Sequence, residues 1–248
     1  MSKIMKYSWI IMLMLGLAFV QTPARSEVFM DYQFPDGNIW HIGGFEIYDV
    51  MLRGEVIGEA RIDYKSLTMQ DAPAYRLQWS ENWTSGNDVH DLSYDVKLSS
   101  AGLHALLSSK IENINGEEWR YEGNYSGENM TIESYYPDNP DVFEYSISKA
   151  FQFSDADALP FIIRNIPFDE NNFVSFRVMD LSSAMTFTPI IKIMGTEIVE
   201  TSQTQYDCWR VEVSAAVGGF TAWYSRTDDH YLVKIRYPDR EMVLNHHS

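Results

Sequence analysis

Apolar and polar residues alternate one by one along most of the chain after residue 44. This period of two is typical of β-strands with one buried face, because successive side chains of a strand point to opposite sides of its sheet. The regular spacing of such segments predicts roughly a dozen strands in an antiparallel meander. The eleven clearest segments are 45–52, 56–65, 74–83, 88–98, 118–127, 130–137, 173–181, 185–200, 206–214, 220–225 and 231–238.

Short clusters of Gly, Asn, Asp and Pro separate the alternating segments and are typical of turns. The pairs Arg53-Gly54 and Asn115-Gly116 stand where tight hairpin turns are expected. The segment 101–111 fits both a helix and a strand, and we predict a strand there. His246 and His247 are expected to fray at the C-terminus of the sequence.

One stretch, DALPFIIRNIPF at residues 157–168, departs from the alternation. It predicts a short helix over about 157–166, with Asp157 as its N-cap, Pro160 in its first turn and Pro167 ending it. Its apolar residues share one helical stripe, namely Leu159, Ile162, Ile163 and Ile166. A helix this short is not stable alone, so we expect the stripe to pack on the sheet.

The aromatic content indicates how the sheet is shaped. Fifteen Tyr, 13 Phe and seven Trp residues can cover one face of a large sheet, since each buries on the order of 150–250 Å². Sheets of this size usually curl. We therefore predict an all-β fold, a strongly curved antiparallel meander that forms a half-barrel or barrel with the helix packed on it. Nothing divides residues 27–248, which we predict to be one domain.

The first 26 residues are typical of a secretory signal peptide. Lys3 and Lys6 precede an apolar run at residues 9–20, and small residues around Ser26 suit a cleavage site. The apolar run is shorter than the ~20 residues that cross a bilayer. We therefore predict cleavage after about Ser26, no stable transmembrane anchor and a periplasmic location. Cys208 is the only cysteine, so no intramolecular disulfide is available.

The predicted mature chain is strongly acidic. Removal of residues 1–26 leaves 16 Lys and Arg against 35 Asp and Glu, a formal charge of −19. Such a surface repels the phosphates of nucleic acids. We therefore expect no nucleic-acid partner.

Four segments carry a resemblance to a known family. They are DALPFIIRNIPF, FVSFRVMD, GTEIVETSQTQYDCWRVEV and TAWYSRTDDHYLVKIRYPDREMVL, and the match is clearest over residues 155–245. They resemble a bacterial exported domain family of unknown function, whose members combine a D-x-L…L-R-x-x-P helix with a closing meander. The resemblance implies a strongly curved antiparallel sheet, similar in outline to the periplasmic half-barrels that carry lipoproteins between membranes. It implies no established activity.

Candidate chemistry is sparse. Asp88 and His90 lie two residues apart on a predicted strand, so both project to one face, where a carboxylate can orient an imidazole. They are weak catalytic candidates, because no third ligand completes a metal site and a polar strand face explains them equally. Cys208 lacks a neighbouring base or helix N-terminus, and Asp155 with Asp157 is one of several close carboxylate pairs. We predict no metal and no cofactor.

Three functions remain open. The first is a non-catalytic binding or carrier module for a hydrophobic ligand or an envelope component, with a site lined by Leu159, Ile162, Ile163 and Ile166. The second is an enzyme that acts on envelope polysaccharide through paired carboxylates or through Asp88 and His90. The third is a structural or assembly factor of the cell envelope. Aromatic residues in excess of what one sheet face needs favour the binding module.

Overall fold

The computed structural model describes Tyr32, Phe34 and residues 42–125, 129–148, 152–168, 173–216 and 218–248. The predicted signal peptide, residues 1–26, lies outside the described residues. Within them, no helix is both long enough and apolar enough to cross a membrane.

Strands make up most of the described chain, on either side of one short helical segment. Before that segment lie β1 Phe45–Leu52, β2 Glu55–Met69, β3 Ala72–Ser85, β4 Asp88–Ser99, β5 Ala105–Ile114, β6 Glu117–Asn124, β7 Asn129–Tyr136, β8 Asn139–Ser148 and β9 Ser154–Asp155. After it lie β10 Phe173–Val174, β11 Val178–Asp180, β12 Met185–Phe187, β13 Ile190–Glu200, β14 Gln205–Ser214, β15 Phe220–Ser225, β16 Leu232–Arg236 and β17 Glu241–His247. The strand predicted within 101–111 is confirmed from Ala105 onward.

Among the described residues, fourteen strands form one sheet, in the order β10-β13-β14-β15-β16-β17-β1-β2-β3-β4-β5-β6-β7-β8. Strand β17 pairs antiparallel with β1, so the strands before and after the helical segment become one continuous surface. The sheet is curved but open, with edges at β10 and β8. The predicted all-β antiparallel fold is confirmed, in its half-barrel form. Strands β12, β11 and β9 form a separate small sheet.

Alternation in the sequence produces the buried face of the sheet. In β4, the buried side chains are those of Leu92, Tyr94, Val96 and Leu98, at every second position. The predicted turns are confirmed as well. Arg53-Gly54 has φ angles of 54° and 87°, left-handed values that match the twist of two strands joined by a two-residue hairpin.

The predicted helix is present but shorter than predicted. Helix α1 spans Leu159–Ile162 and continues as a 3-10 turn over Ile163–Asn165. Pro160 lies in the first turn, as predicted. Ile166 is extended, with φ −87° and ψ 149°, because the residue before a proline disfavours helical backbone.

The predicted N-cap is wrong. Ala158 is the N-cap and has no side-chain cap. Asp155, two residues before Asp157, accepts the backbone N–H groups of Asp157 and Ala158 at 2.8 and 3.3 Å. Strand β9 ends at Asp155 and thus delivers this carboxyl to the start of the helix. The carboxyl of Asp157 is left available for other contacts.

The helical segment is buried on every side, not only along its apolar stripe. Phe161 meets the Trp79 ring edge to face, with centroids 5.5 Å apart. On the other side, the Tyr224 hydroxyl donates to the carbonyl of Pro160 at 2.7 Å. Strands from both halves of the sheet therefore pack on the segment, which fills much of the concave interior.

The C-terminal residues are ordered into the sheet, so the prediction that they fray is wrong. His246 pairs with Ile47 of β1, and His247 pairs with Glu46. The His247 ring also lies 4.2 Å from that of Tyr231, centroid to centroid. These residues therefore extend the pairing of β17 with β1, which joins the two halves of the sheet.

Candidate ligand-binding cleft

A cleft of about 530 Å³ lies beside the N-terminal end of α1. Strands β3, β4 and β5 form one wall, and the β14–β15 and β16–β17 connections contribute to the other. Its volume falls within the ~300–1,000 Å³ that is typical of small-ligand sites. Among the described residues, seven aromatic rings line it, those of Trp79, Trp83, His90, Tyr94, Phe187, Phe220 and Tyr237.

The Arg240 guanidinium contacts Glu81 and Trp83 and stabilises one wall of the cleft. It forms a bidentate ion pair with Glu81, with Nε 2.5 Å from Oε1 and Nη2 3.1 Å from Oε2. It also lies 4.6 Å from the ring centroid of Trp83. Trp83 stacks on His90, with centroids 4.6 Å apart and ring planes at 3°. Because Glu81 is fully buried and both its oxygens are bonded, this wall is preorganised.

A polar cluster is built around Lys110 and Asp157, which both line the cleft. The Lys110 ammonium donates to Glu112 Oε1 at 2.6 Å and to Ser182 Oγ at 2.9 Å. The Tyr94 hydroxyl bonds to the Asp157 carboxyl. Burial raises the pKa of Asp157, while the charge of Lys110 and the bond from Tyr94 offset part of the rise. The cleft therefore combines a ring lining with one strongly polar corner.

Asp155 lies behind this corner, in the buried layer. Its Oδ2 accepts the Ser108 hydroxyl at 2.5 Å, and its Oδ1 accepts the backbone N–H groups of Asp157 and Ala158, just before α1 begins at Leu159. Burial, and then the charge of Asp157, raises the pKa of Asp155 to about 7. Near neutral pH, the two carboxyls together therefore carry fewer than two negative charges.

Two buried polar atoms of the cleft lining lack a hydrogen-bond partner within the part of the chain that the structure describes. One is the indole N–H of Trp79, a donor, and the other is Oδ2 of Asp157, an acceptor. Trp79 is only 5% exposed. Both atoms are buried rather than open to the cleft, and an unpaired buried group costs about 1–3 kcal/mol.

Acidic side chains outnumber basic ones in the lining. The acidic residues are Asp91, Glu112, Asp157, Asp180 and Asp239, and the basic residues are Lys110 and Arg240. Lys110 is paired with Glu112, and Arg240 with Glu81 and Asp239. The lining described by the structure therefore offers no unpaired cation to an anionic group, and it favours a neutral or positively charged ligand.

The predicted pair Asp88 and His90 is divided between the surface and the cleft. His90 lines the cleft, where it stacks on Trp83. Asp88 is exposed and outside the lining, and its Oδ1 accepts the side-chain amide of Asn115 at 2.7 Å. No group of three His, Cys, Asp or Glu among the described residues is placed to hold a metal ion.

Of the four helix residues predicted to line a ligand site, one lines the cleft and three lie in the core. Leu159 lines the cleft. Ile162, Ile163 and Ile166 lie in the main core with at most 2% exposure and do not line it. The space for a ligand is therefore at the N-terminal end of α1, not along its stripe.

Cys208 lies away from the cleft. It is buried in a small separate cluster with Val199, Trp223 and Val233. Burial raises the pKa of its thiol to about 12. A thiol that stays protonated is a poor nucleophile, so Cys208 contributes packing.

Sequence patterns alone did not identify Glu81, Lys110 or Arg240 as site residues. Glu81 could have been identified from the sequence, because it follows Leu77 and Trp79 at a spacing of two and so lies on the buried face of β3. A charged residue in the apolar phase of a strand must find a partner, which makes it a candidate site residue. Its partner Arg240 is 159 positions away and lies in a connection, where no periodicity points to it.

The architecture defines a class of protein, an open antiparallel half-barrel filled by a short helical segment, with a ring-lined cleft at the start of that segment. Residues 47–240 match the model of a family described as protein of unknown function, DUF3108. The chain belongs to that family. No curated protein and no solved structure matches the chain significantly.

Proposed function

We propose that this protein is a non-catalytic binding module, and that its cleft holds a hydrophobic ligand or the apolar part of an envelope component. The observation that carries the proposal is the preformed cleft of about 530 Å³, whose wall the Glu81–Arg240 pair holds in place. A carrier role for an envelope component is the form of binding we favour. It is supported by the half-barrel outline and by the resemblance of residues 155–245.

In this proposal the ligand lies in the cleft beside the N-terminal end of α1. Side chains of the helical segment, including Ile162 and Ile163, fill the concave interior and leave no exposed apolar stripe. A long acyl chain laid along α1 would have to displace this core. Rings and short apolar groups fit the cleft without such a rearrangement, which makes them the preferred occupants.

One observation favours a second candidate, an enzyme that hydrolyses envelope polysaccharide. The Asp157 carboxyl lines the cleft with a raised pKa, the property required of a general acid. Asp180 and Glu112 lie in the same lining as possible second carboxylates. Release of reducing ends from peptidoglycan fragments, abolished by Asp157→Asn, would favour catalysis over simple binding.

Blocking the cleft from its rim tests the binding proposal. Ala215 lines the cleft in the connection after β14, so Ala215→Trp places an indole in the ligand space without cutting into the core. We expect wild-type protein to bind the neutral apolar probe N-phenyl-1-naphthylamine, and the variant to bind it at least about tenfold more weakly, a loss of ~1.4 kcal/mol. Fluorescence titration measures both affinities.

The neighbouring residue supplies a matched control. Ala216 is exposed and lies outside the lining, so Ala216→Trp should change the probe affinity by no more than about twofold. Equal weakening in both variants, or no probe binding by the wild type, would contradict a binding role for the cleft.

We also propose that the protein is exported and acts in the periplasm. Support comes from the signal pattern in residues 1–26 and from the acidic composition. Expression in a bacterial host should yield a periplasmic product whose N-terminus follows about Ser26. Cell fractionation with N-terminal sequencing measures this, and an uncleaved cytoplasmic product would contradict it.

A further inference from the structure

Strand β8 forms one free edge of the large sheet. It pairs with β7 on one side, and no strand of the described residues pairs with its other side. In an antiparallel pair, every second residue directs its backbone N–H and C=O groups away from the partner strand. The outer edge of β8 therefore carries a row of backbone donors and acceptors that can pair with a further extended chain.

Apolar side chains are exposed on both faces of this strand. Val142, Phe143 and Tyr145 are 48%, 41% and 44% exposed, and neighbouring residues of a strand point to opposite faces. Free edges are usually protected from pairing by bulges, prolines, charges or a covering segment. Pro140 stands near the start of β8, but the register with β7 is regular from Phe143 to the end of the strand. The exposed stretch is therefore fit to pair.

The inward face of this edge continues the apolar interior without a cover. Tyr145 lies directly opposite Ile132 of β7, which is fully buried. Phe143 lies two residues earlier on the same face and meets the Tyr136 ring edge to face, with centroids 5.5 Å apart. An added strand with apolar residues at alternate positions would cover both exposed rings, because side chains of neighbouring strands pack in directly opposite pairs.

A row of glutamates crosses the other face and ends at the same edge. Glu122, Glu133 and Glu144 lie directly opposite one another on β6, β7 and β8. Glu122 forms an ion pair with Arg120. The Tyr135 hydroxyl donates to Glu133 at 2.6 Å. Within the described part of the chain, Glu144 has no such partner, so a basic residue opposite it would relieve the repulsion between like charges.

We propose that the outer edge of β8, the docking edge, binds an extended segment of a partner protein that alternates apolar and basic residues. The segment adds one strand to the sheet, covers Phe143 and Tyr145, and places Lys or Arg beside Glu144. Charge favours this occupant over a second copy, because the chain carries a formal charge of −16 and β8 has no basic residue. No residue of β8 lines the cleft, so the docking edge is separate from the proposed ligand site.

A short peptide of this chemistry is the probe. The peptide is acetyl-Lys-Phe-Lys-Val-Lys-Phe-Lys-amide with a fluorescein label, and its counterpart is the same peptide N-methylated at every backbone amide. The counterpart keeps the charges and side chains but has no N–H to donate to a strand. Because an acidic protein attracts any cationic peptide, the counterpart measures the part of binding that is not strand pairing. Fluorescence anisotropy measures both affinities.

We expect the wild type to bind the peptide at least about tenfold more tightly than the N-methylated counterpart. Glu144→Lys should weaken binding of the peptide about tenfold, because attraction at the docking edge becomes repulsion. Glu55→Lys makes the same charge change at an exposed residue of β2, which does not neighbour β8, and should weaken it by no more than about twofold. Thermal unfolding confirms that both variants are folded.

Hydrogen exchange locates the bound peptide. Amides of residues 139–148 that exchange rapidly in the free protein should exchange more slowly when the peptide is bound. Equal affinity for the two peptides, equal weakening in the two variants, or unchanged exchange in β8 would overturn the proposal.

Two further outcomes would name a different occupant and so overturn the proposal as well. Slow exchange along the whole of β8 in the free monomer would show that another part of the chain already covers the edge. Concentration-dependent dimerisation that protects β8 would identify a second copy. The cleft is tested independently, because Glu144→Lys should leave the affinity for N-phenyl-1-naphthylamine within about twofold.

Discussion

Arg164→Met is expected to lower the free energy of unfolding by about 3–5 kcal/mol, the cost typical of breaking a buried ion pair. The side chains of Arg164 and Glu46 are 0% and 2% exposed. Nη1 of Arg164 donates to Glu46 Oε1 and to the Tyr64 hydroxyl oxygen, each at 2.8 Å. Without the guanidinium, Glu46 would remain as a buried charge with no counter-ion. Urea denaturation measures the change.

The same contacts explain why the effect should exceed the loss of one bond. Glu46 Oε2 also accepts the hydroxyls of Tyr48 and Tyr64 at 2.6 and 2.8 Å, while Nη2 of Arg164 donates to the Asp229 carbonyl at 3.0 Å. Arg164 therefore ties the helical segment to β1, β2 and the β15–β16 connection. Because the two charges share one network, Glu46→Gln combined with Arg164→Met should cost less than the sum of the single changes.

An exposed pair supplies the control. Arg226 and Asp207 form an ion pair with side chains 45% and 49% exposed, so Arg226→Met should cost less than about 1 kcal/mol. Equal costs for Arg164→Met and Arg226→Met would show that the buried network does not anchor the helical segment.

Local periodicity was sufficient to predict the strands, the main turns and the site of the helix, because each depends on neighbouring residues. It could not predict that α1 is buried on all sides. Arg164 lies off the apolar stripe, a position that suggests a carboxylate partner at the rim of the sheet. Its partner is a carboxylate, but Glu46 lies in the core, 118 residues away in sequence. Glu46 reaches Arg164 because β17 pairs with β1 and joins the two halves into one sheet.

The cleft depends even more on long-range contacts. The helix stripe and His90 were candidates, and of these Leu159 and His90 lie in the lining. Their neighbours across the cleft come from connections after β14 and β16, whose positions follow from the curvature of the sheet. No sequence period encodes that curvature. Asp157 illustrates the limit, since its sequence position suggests a helix cap, whereas Ala158 is the N-cap and Asp157 lines the cleft.

Asp155→Asn is expected to change how stability depends on pH. The carboxyl has an unfolded pKa near 3.8 and a folded pKa of about 7, so between these values the folded protein holds a proton that the unfolded chain releases. Its contribution to stability is therefore fully present below about pH 4 and is lost as pH rises through 7. At its steepest the loss is about 1.4 kcal/mol per pH unit, and it sums to roughly 3–4 kcal/mol over the window.

The asparagine variant carries no proton to lose and keeps an oxygen for the N–H groups of Asp157 and Ala158. The difference in unfolding free energy, wild type minus variant, should therefore fall between pH 4 and pH 7.5, as measured by urea denaturation at each pH. Asp88→Asn is the control, because it removes an exposed carboxyl bonded to Asn115 and should change the unfolding free energy by no more than about 0.5 kcal/mol. A flat difference for Asp155→Asn would mean that Asp155 is ionised in the folded protein across this range.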